Sequence, residues 1–115
     1  MITEIFSRNE VHLGPLSQIP PGEGRTYEVR GQRLAVFHTR GGEVFATQAE
    51  CPHRDGPLSD GLLGGTFLVC PLHGWKFDLR TGKALYGDCD LTIFPVRLTP
   101  EEDLVLTLVP EREQP

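Results

Sequence analysis

Two cysteine–histidine pairs lie within residues 51–75 of this chain, which read CPHRDGPLSDGLLGGTFLVCPLHGW. Cys51 and His53 form the first pair, and Cys70 and His73 form the second. The 16 residues between His53 and Cys70 are enough for a loop, a short strand and a return to a common centre. Thiolates and imidazoles bind metals at about 2.0 to 2.3 Å, as zinc proteins show. The segment therefore predicts a metal centre held between two loops.

The way in which the ligands are paired separates two kinds of metal centre. A structural zinc site with two cysteines and two histidines usually takes both cysteines from one loop and both histidines from another. Here each loop supplies one cysteine and one histidine. That mixed pairing suits a binuclear iron site in which one iron takes the two thiolates and the other takes the two imidazoles. The zinc site stays open as the alternative.

The chain around this segment reads as short extended stretches separated by glycine and proline, which is typical of an all-β sandwich or barrel. The predicted strands are residues 11–13, 25–30, 33–38, 44–48, 66–69, 76–79, 91–98 and 104–109. Residues 40–43 predict a hairpin turn, and residues 100–103 predict a second one. Both faces of the last strand, 104–109, are largely apolar, so we expect that strand to be buried.

Composition limits the possible partners. The chain has 115 residues, 38% hydrophobic and 23% charged, which predicts one globular domain. Its formal net charge of −5 repels a phosphate backbone, so nucleic acid is not an expected partner. No apolar run approaches the roughly 20 residues that span a bilayer, and no signal peptide is recognisable, so we expect a cytoplasmic protein without a membrane partner. Three cysteines, an odd number, disfavour a disulfide framework.

The two motifs, Cys-Pro-His at residues 51–53 and Cys-Pro-Leu-His at residues 70–73, resemble the signature of the Rieske family of [2Fe-2S] proteins. The resemblance implies one [2Fe-2S] cluster per chain. It assigns Cys51 and Cys70 to the inner iron, and His53 and His73 to the outer iron near solvent. These four residues are the predicted metal and cofactor ligands.

The resemblance also implies a fold. We expect an all-β, Rieske-type antiparallel β-sandwich or barrel that forms a single domain over residues 1–115. A cluster-binding subdomain would be inserted at about residues 46–87. The charged, proline-flanked tail at residues 110–115 is expected to be flexible.

A one-electron carrier is the function that this resemblance implies. Residues 70–97 look like two branches of the family, and somewhat more like the second: the ferredoxin component of aromatic-ring dioxygenases and the small subunit of NAD(P)H-dependent nitrite reductase. We expect no catalytic residues and no catalytic activity from the chain alone, so its partner would be a larger oxidoreductase. The alternative is a structural or interaction subunit whose cluster lies off the electron path.

Neighbouring residues predict a low reduction potential. High-potential Rieske proteins carry one further cysteine in each loop, at positions similar to Gly56 and Leu72, and link the loops by a disulfide. They also carry serine and tyrosine hydroxyls at positions similar to Trp75 and Phe77. This chain lacks those groups, and fewer donors to the cluster sulfurs disfavour the reduced state. Trp75 and Phe77 are interpreted as core packing.

Other polar residues have structural interpretations. Cys89 is predicted to be a small, semi-buried apolar residue rather than a reactive thiol. His12 and His38 are expected to be solvated, or hydrogen-bonded within strands. Four aspartates form either an acidic docking rim or ordinary solvated loops, and these are Asp55, Asp60, Asp88 and Asp90.

Overall fold

The computed structural model describes residues 9–52, 56–72, 74–87 and 89–110. Its strands form three antiparallel sheets, which confirms the predicted all-β class. The strands are β1 (Glu10–Pro15), β2 (Glu23–Val29), β3 (Gln32–His38), β4 (Val44–Gln48), β5 (Leu62–Gly64), β6 (Phe67–Val69), β7 (Lys76–Asp78), β8 (Ala84–Tyr86), β9 (Ile93–Phe94), β10 (Val96–Leu98) and β11 (Asp103–Thr107). Two short 3₁₀ turns are present at Leu16–Gln18 and Leu58–Asp60. None of the helical segments in the described ranges is long and apolar enough to cross a membrane.

Two of the sheets form the base of the molecule, with strand orders β1-β11-β10 and β2-β3-β4-β9. The predicted hairpin between β3 and β4 is confirmed, and Gly42 adopts a positive φ of 94° in its turn. The hairpin between β10 and β11 is confirmed as well. The predicted strand 91–98 is divided at Pro95, which has no N–H to donate to a ladder. As a result β9 pairs with β4, whereas β10 pairs with β11.

Strand β3 lies between two hydrophobic cores. Leu34 and Val36 point into one core, and Ala35 and Phe37 point into the other, because side chains alternate along a strand. The base core consists of Ile19, Leu34, Val36, Ala46, Phe94, Leu104 and Leu106. The loop core consists of Ala35, Phe37, Cys51, Leu58, Leu68, Cys70, Phe77, Leu79, Leu91 and Ile93. The predicted burial of the last strand is confirmed at Leu104, Val105 and Leu106.

The third sheet, with strand order β5-β6-β7-β8, lies between β4 and β9 in the chain. Its inner face packs Leu68 and Phe77 into the loop core. Strands β5 and β8 lie outside the predicted strands; β5 ends in Gly64 and β8 is followed by Gly87, and glycine weakens the strand signal. The single domain over 1–115 and the subdomain at 46–87 stay predictions. The predicted flexible tail lies, beyond Pro110, outside the described residues.

Candidate metal centre

The two ligand loops begin where strands of different sheets end. Cys51 follows β4 by three residues, and Cys70 directly follows β6. Both side chains belong to the loop core and are almost fully buried, at 1% and 3% exposed. The two thiols are close enough for Cys51 to raise the pKa of Cys70. The fold therefore brings together two cysteines that are 19 positions apart in the sequence.

Both loops are closed by the same kind of backbone hydrogen bond. The Cys51 N–H donates to the Gly56 carbonyl at 2.8 Å, and the Cys70 N–H donates to the Trp75 carbonyl at 2.7 Å. Each bond spans five positions, so each loop turns back tightly over its cysteine. The second loop depends on Gly74, whose φ of 71° lies in the left-handed region that favours glycine.

The predicted histidine ligands, His53 and His73, lie outside the described residues. The structure thus brings together two of the four predicted ligands, Cys51 and Cys70. In the sequence the other two follow the cysteines by two and three positions.

The two buried thiols fit the cysteine side of a sulfide-bridged iron cluster. A Cβ atom placed on Gly56 would lie 3.7 Å from the Cys70 Sγ and 2.8 Å from the Cγ and Cδ1 atoms of Leu72. The distance to the sulfur is an ordinary contact, so the Leu72 side chain is the group that a side chain at position 56 would displace. Two thiols that share one apolar core form the cysteine half of the donor set that a Rieske cluster needs.

Burial raises the pKa of the Cys70 thiol, and the neighbouring Cys51 thiol raises it further. The Leu72 N–H, which donates a hydrogen bond to the Cys70 sulfur, acts in the opposite direction. A buried thiol of this kind becomes a thiolate when a metal takes the place of its proton. The Leu72 amide is a donor that sequence reasoning missed, because it depends on how the loop turns.

Trp75 and Phe77 pack into the core, which confirms their predicted role. The Phe77 ring is fully buried in the loop core, and the Trp75 ring lies against it at a centroid distance of 6.4 Å. Gly87 leaves room for the other side of the Trp75 ring.

The prediction for Cys89 is wrong, because its side chain is exposed. It lies in the connection between β8 and β9, where the Asp90 carboxylate accepts a hydrogen bond from the Ala84 N–H at 2.8 Å. Leu91 is the residue of this connection that enters the loop core, whereas Cys89, two positions earlier, lies at the surface.

The ring nitrogens of His12 and His38 are hydrogen-bonded within the fold, as predicted. The His12 Nε2 lies 2.8 Å from an Asp103 carboxylate oxygen, and the His38 Nδ1 lies 2.7 Å from the Ile19 carbonyl oxygen. Asp60 and Asp90 are exposed, whereas Asp55 and Asp88 lie outside the described residues. The acidic docking rim stays a prediction.

Comparison with known proteins gives a family match and similar structures. The sequence model described as "Rieske [2Fe-2S] domain" matches residues 9–95. The chain is 35% identical, over 95 residues, to the ferredoxin component of the naphthalene 1,2-dioxygenase/salicylate 5-hydroxylase systems of a Ralstonia species, covering 81% of this chain and 90% of that protein.

Two solved structures share the fold. A chain from the complex of reduced oxygenase and oxidised ferredoxin in carbazole 1,9a-dioxygenase superposes with a TM-score of 0.80 at 27% identity, covering 91% of this chain and 98% of that one. A chain described as an NADH-dependent nitrite reductase small subunit from Mycobacterium tuberculosis also gives a TM-score of 0.80, at 22% identity, covering 87% and 95%. The second likeness shows the fold alone.

Proposed function

We propose that this chain, which belongs to the Rieske [2Fe-2S] domain family, delivers single electrons to the terminal oxygenase of an aromatic-ring dioxygenase system. The chain holds a [2Fe-2S] cluster and transfers electrons. The oxygenase as partner is supported by one observation, the near full-length similarity to the ferredoxin component of a naphthalene dioxygenase system. The zinc site considered above is set aside, because the matching family is described by its [2Fe-2S] centre.

In this proposal Cys51 and Cys70 hold one iron, and His53 and His73 hold the other. Two thiolates and two sulfides balance the charge of two ferric ions, so the oxidised centre is neutral when both imidazoles are neutral. When bound, the cluster supplies a one-electron redox couple. The protein keeps the two thiolates buried and the ligand loops tightly turned, which excludes water from the cysteine side.

The partner is tested by direct electron transfer. Reduced protein is mixed without oxygen with the terminal oxygenase of a naphthalene dioxygenase system, or with the large subunit of a nitrite reductase. We expect the visible spectrum of the oxidised cluster to return rapidly with the oxygenase. Rapid return with the nitrite reductase subunit alone would contradict the proposal and would assign the chain to the other branch of the family.

A low midpoint potential is expected for this chain. Rieske potentials range from about −150 to +300 mV, and hydrogen bonds to the cluster sulfurs raise them. Trp75 and Phe77 offer no hydroxyl to those sulfurs, and both rings pack into the core. Protein-film voltammetry or a redox titration followed by circular dichroism measures the potential. A midpoint above about +100 mV, well inside the upper part of that range, would refute the prediction.

The histidine ligands are tested by replacing His73 with cysteine. A thiolate in place of a neutral imidazole adds negative charge, so we expect the midpoint potential to fall by on the order of 100 mV or more. The matched control is His12→Gln, on the surface of the base sheets, which should leave the potential unchanged. An unchanged potential in His73→Cys would remove His73 from the ligand set.

The same variant separates an electron carrier from a structural subunit. Gel filtration first establishes whether His73→Cys still binds the oxygenase. If binding persists, a carrier with an altered potential changes the turnover of the partner. Unchanged turnover would favour a structural or interaction role, with the cluster off the electron path.

The cytoplasm is the compartment that we propose for this chain. Cys51 and Cys70 are assigned to the cluster, and the exposed Cys89 forms no disulfide with either of them. Free thiols persist in reducing compartments and are oxidised in exported proteins. Cell fractionation tests this location, and recovery from a periplasmic or extracellular fraction would contradict it.

A further inference from the structure

The two ligand loops touch each other at Gly56 and Leu72. The Leu72 side chain occupies the space directly beside Gly56, since a Cβ on that glycine would lie 2.8 Å from the Leu72 Cγ and Cδ1 atoms. Carbon atoms in contact prefer about 3.5 to 4.0 Å, so that Cβ would displace the leucine. The same point lies 3.7 Å from the Cys70 Sγ. Gly56, Leu72 and the Cys70 sulfur therefore meet at one place.

Leu72 and Gly56 belong to different ligand loops. Leu72 lies two positions after Cys70, whereas the Gly56 carbonyl accepts the hydrogen bond from the Cys51 N–H that closes the first loop. The side chain is 48% exposed and belongs to neither the base core nor the loop core. Its position over Gly56 is therefore not explained by core formation.

We propose that Leu72, packed on Gly56, is a positioning residue that clamps the two ligand loops together and shields the Cys70 sulfur from water. The proposal rests on Cys70 as a cluster ligand. It does not depend on which partner receives the electron, because potential and cluster retention are properties of the chain alone.

Two consequences follow from the clamp. Solvent exposure and hydrogen bonds to sulfur are among the factors that set the potential of an iron–sulfur protein. Water admitted beside Cys70 would donate hydrogen bonds to the sulfur, so loss of the clamp should raise the midpoint potential. Loops that are no longer held together should also release iron faster.

The clamp is tested by a double-mutant cycle on the cluster-loaded protein, with Gly56→Ala, Leu72→Ala and the double variant. Gly64→Ala is the matched control, because no atom lies within 4 Å of its added Cβ and its φ is not positive. The measurements are the midpoint potential and the rate of cluster loss to an iron chelator, followed by visible absorbance.

We expect each single variant to raise the potential and to accelerate cluster loss about fivefold, a factor equivalent to ~1 kcal/mol. The double variant should be no worse than Leu72→Ala, since the methyl group added at position 56 then enters space that the leucine has vacated. This non-additivity is the signature of a direct contact. Gly64→Ala should behave as wild type, and Leu72→Met, which keeps the volume, should retain the wild-type potential.

Three results would overturn the proposal. Additive effects in the double variant would show that Gly56 does not act through Leu72. Faster cluster loss in Leu72→Ala without a shift in midpoint potential would show that Leu72 only packs between the loops and does not shield the sulfur. If Leu72→Ala does not load a cluster, the potentials of Leu72→Met and Leu72→Gln are compared instead. Equal midpoint potentials in those two variants would contradict the shielding role. None of these measurements includes a partner protein, so they remain valid if the oxygenase proposal fails.

Discussion

We expect replacement of Cys70 with alanine to abolish cluster binding, which would be the largest functional effect of any single substitution. Cys70 is almost fully buried in the same core as Cys51, and the remaining cysteine, Cys89, is exposed and cannot take its place. Loss of one thiolate leaves an iron short of a ligand and uncompensated charge inside the loop core. The purified variant should be colourless, whereas the wild-type protein should be red-brown with iron and acid-labile sulfide in equal amounts.

The matched control for this experiment is Cys89→Ala. Cys89 is exposed in the connection between β8 and β9 and belongs to neither core. Its removal should leave the iron and sulfide content and the rhombic electron paramagnetic resonance signal of the reduced protein unchanged. Full iron content in Cys70→Ala, or loss of iron in Cys89→Ala, would contradict the ligand assignment.

Replacing Phe37 with alanine should lower the free energy of unfolding by about 3 to 5 kcal/mol, the range for deletion of a fully buried phenylalanine. The Phe37 ring is 0% exposed and lies against Gly24, where a Cβ would collide with it. It connects β3 to the loop core that contains both cysteines. The cavity left by the ring should therefore weaken the fold and also speed the loss of iron.

Urea denaturation under anaerobic conditions measures this effect, with far-ultraviolet circular dichroism and visible absorbance as two probes. The two probes are needed because a bound cofactor can break two-state behaviour. Phe67→Ala is the matched control, since that ring is 40% exposed on β6 and should cost only about 1 kcal/mol. Equal losses in the two variants would show that Phe37 does not have the packing role described here.

Much of the fold could be predicted because the signals are local. Residues 33–38 and 44–48 form β3 and β4, and the turn at 40–43 connects them, within one residue of the prediction. The separation of β9 from β10 could also have been read from Pro95, because proline removes a ladder donor. That β9 joins the sheet of β4 and β10 joins the sheet of β11 depends on which strands lie beside them in the fold.

Other features had no local signal strong enough to predict them. Strands β5 and β8 have three residues each and are ordered by pairing with β6 and β7. Cys89 was predicted to be semi-buried, because cysteine is a residue type that favours burial. The course of the chain places it at the surface instead.

The sequence by itself determined the chemistry of the centre, because residue type and spacing are local: each loop offers one thiolate and one imidazole, and no hydroxyl follows at Trp75 or Phe77. The motifs predicted that Cys51 and Cys70 meet, but only the tertiary structure decided which apolar core encloses them and that Leu72 lies on Gly56 beside the sulfur. These contacts join segments 16 to 19 positions apart, and their geometry depends on sheet pairing and on the space that a missing Cβ leaves. No local pattern in the chain records either of them.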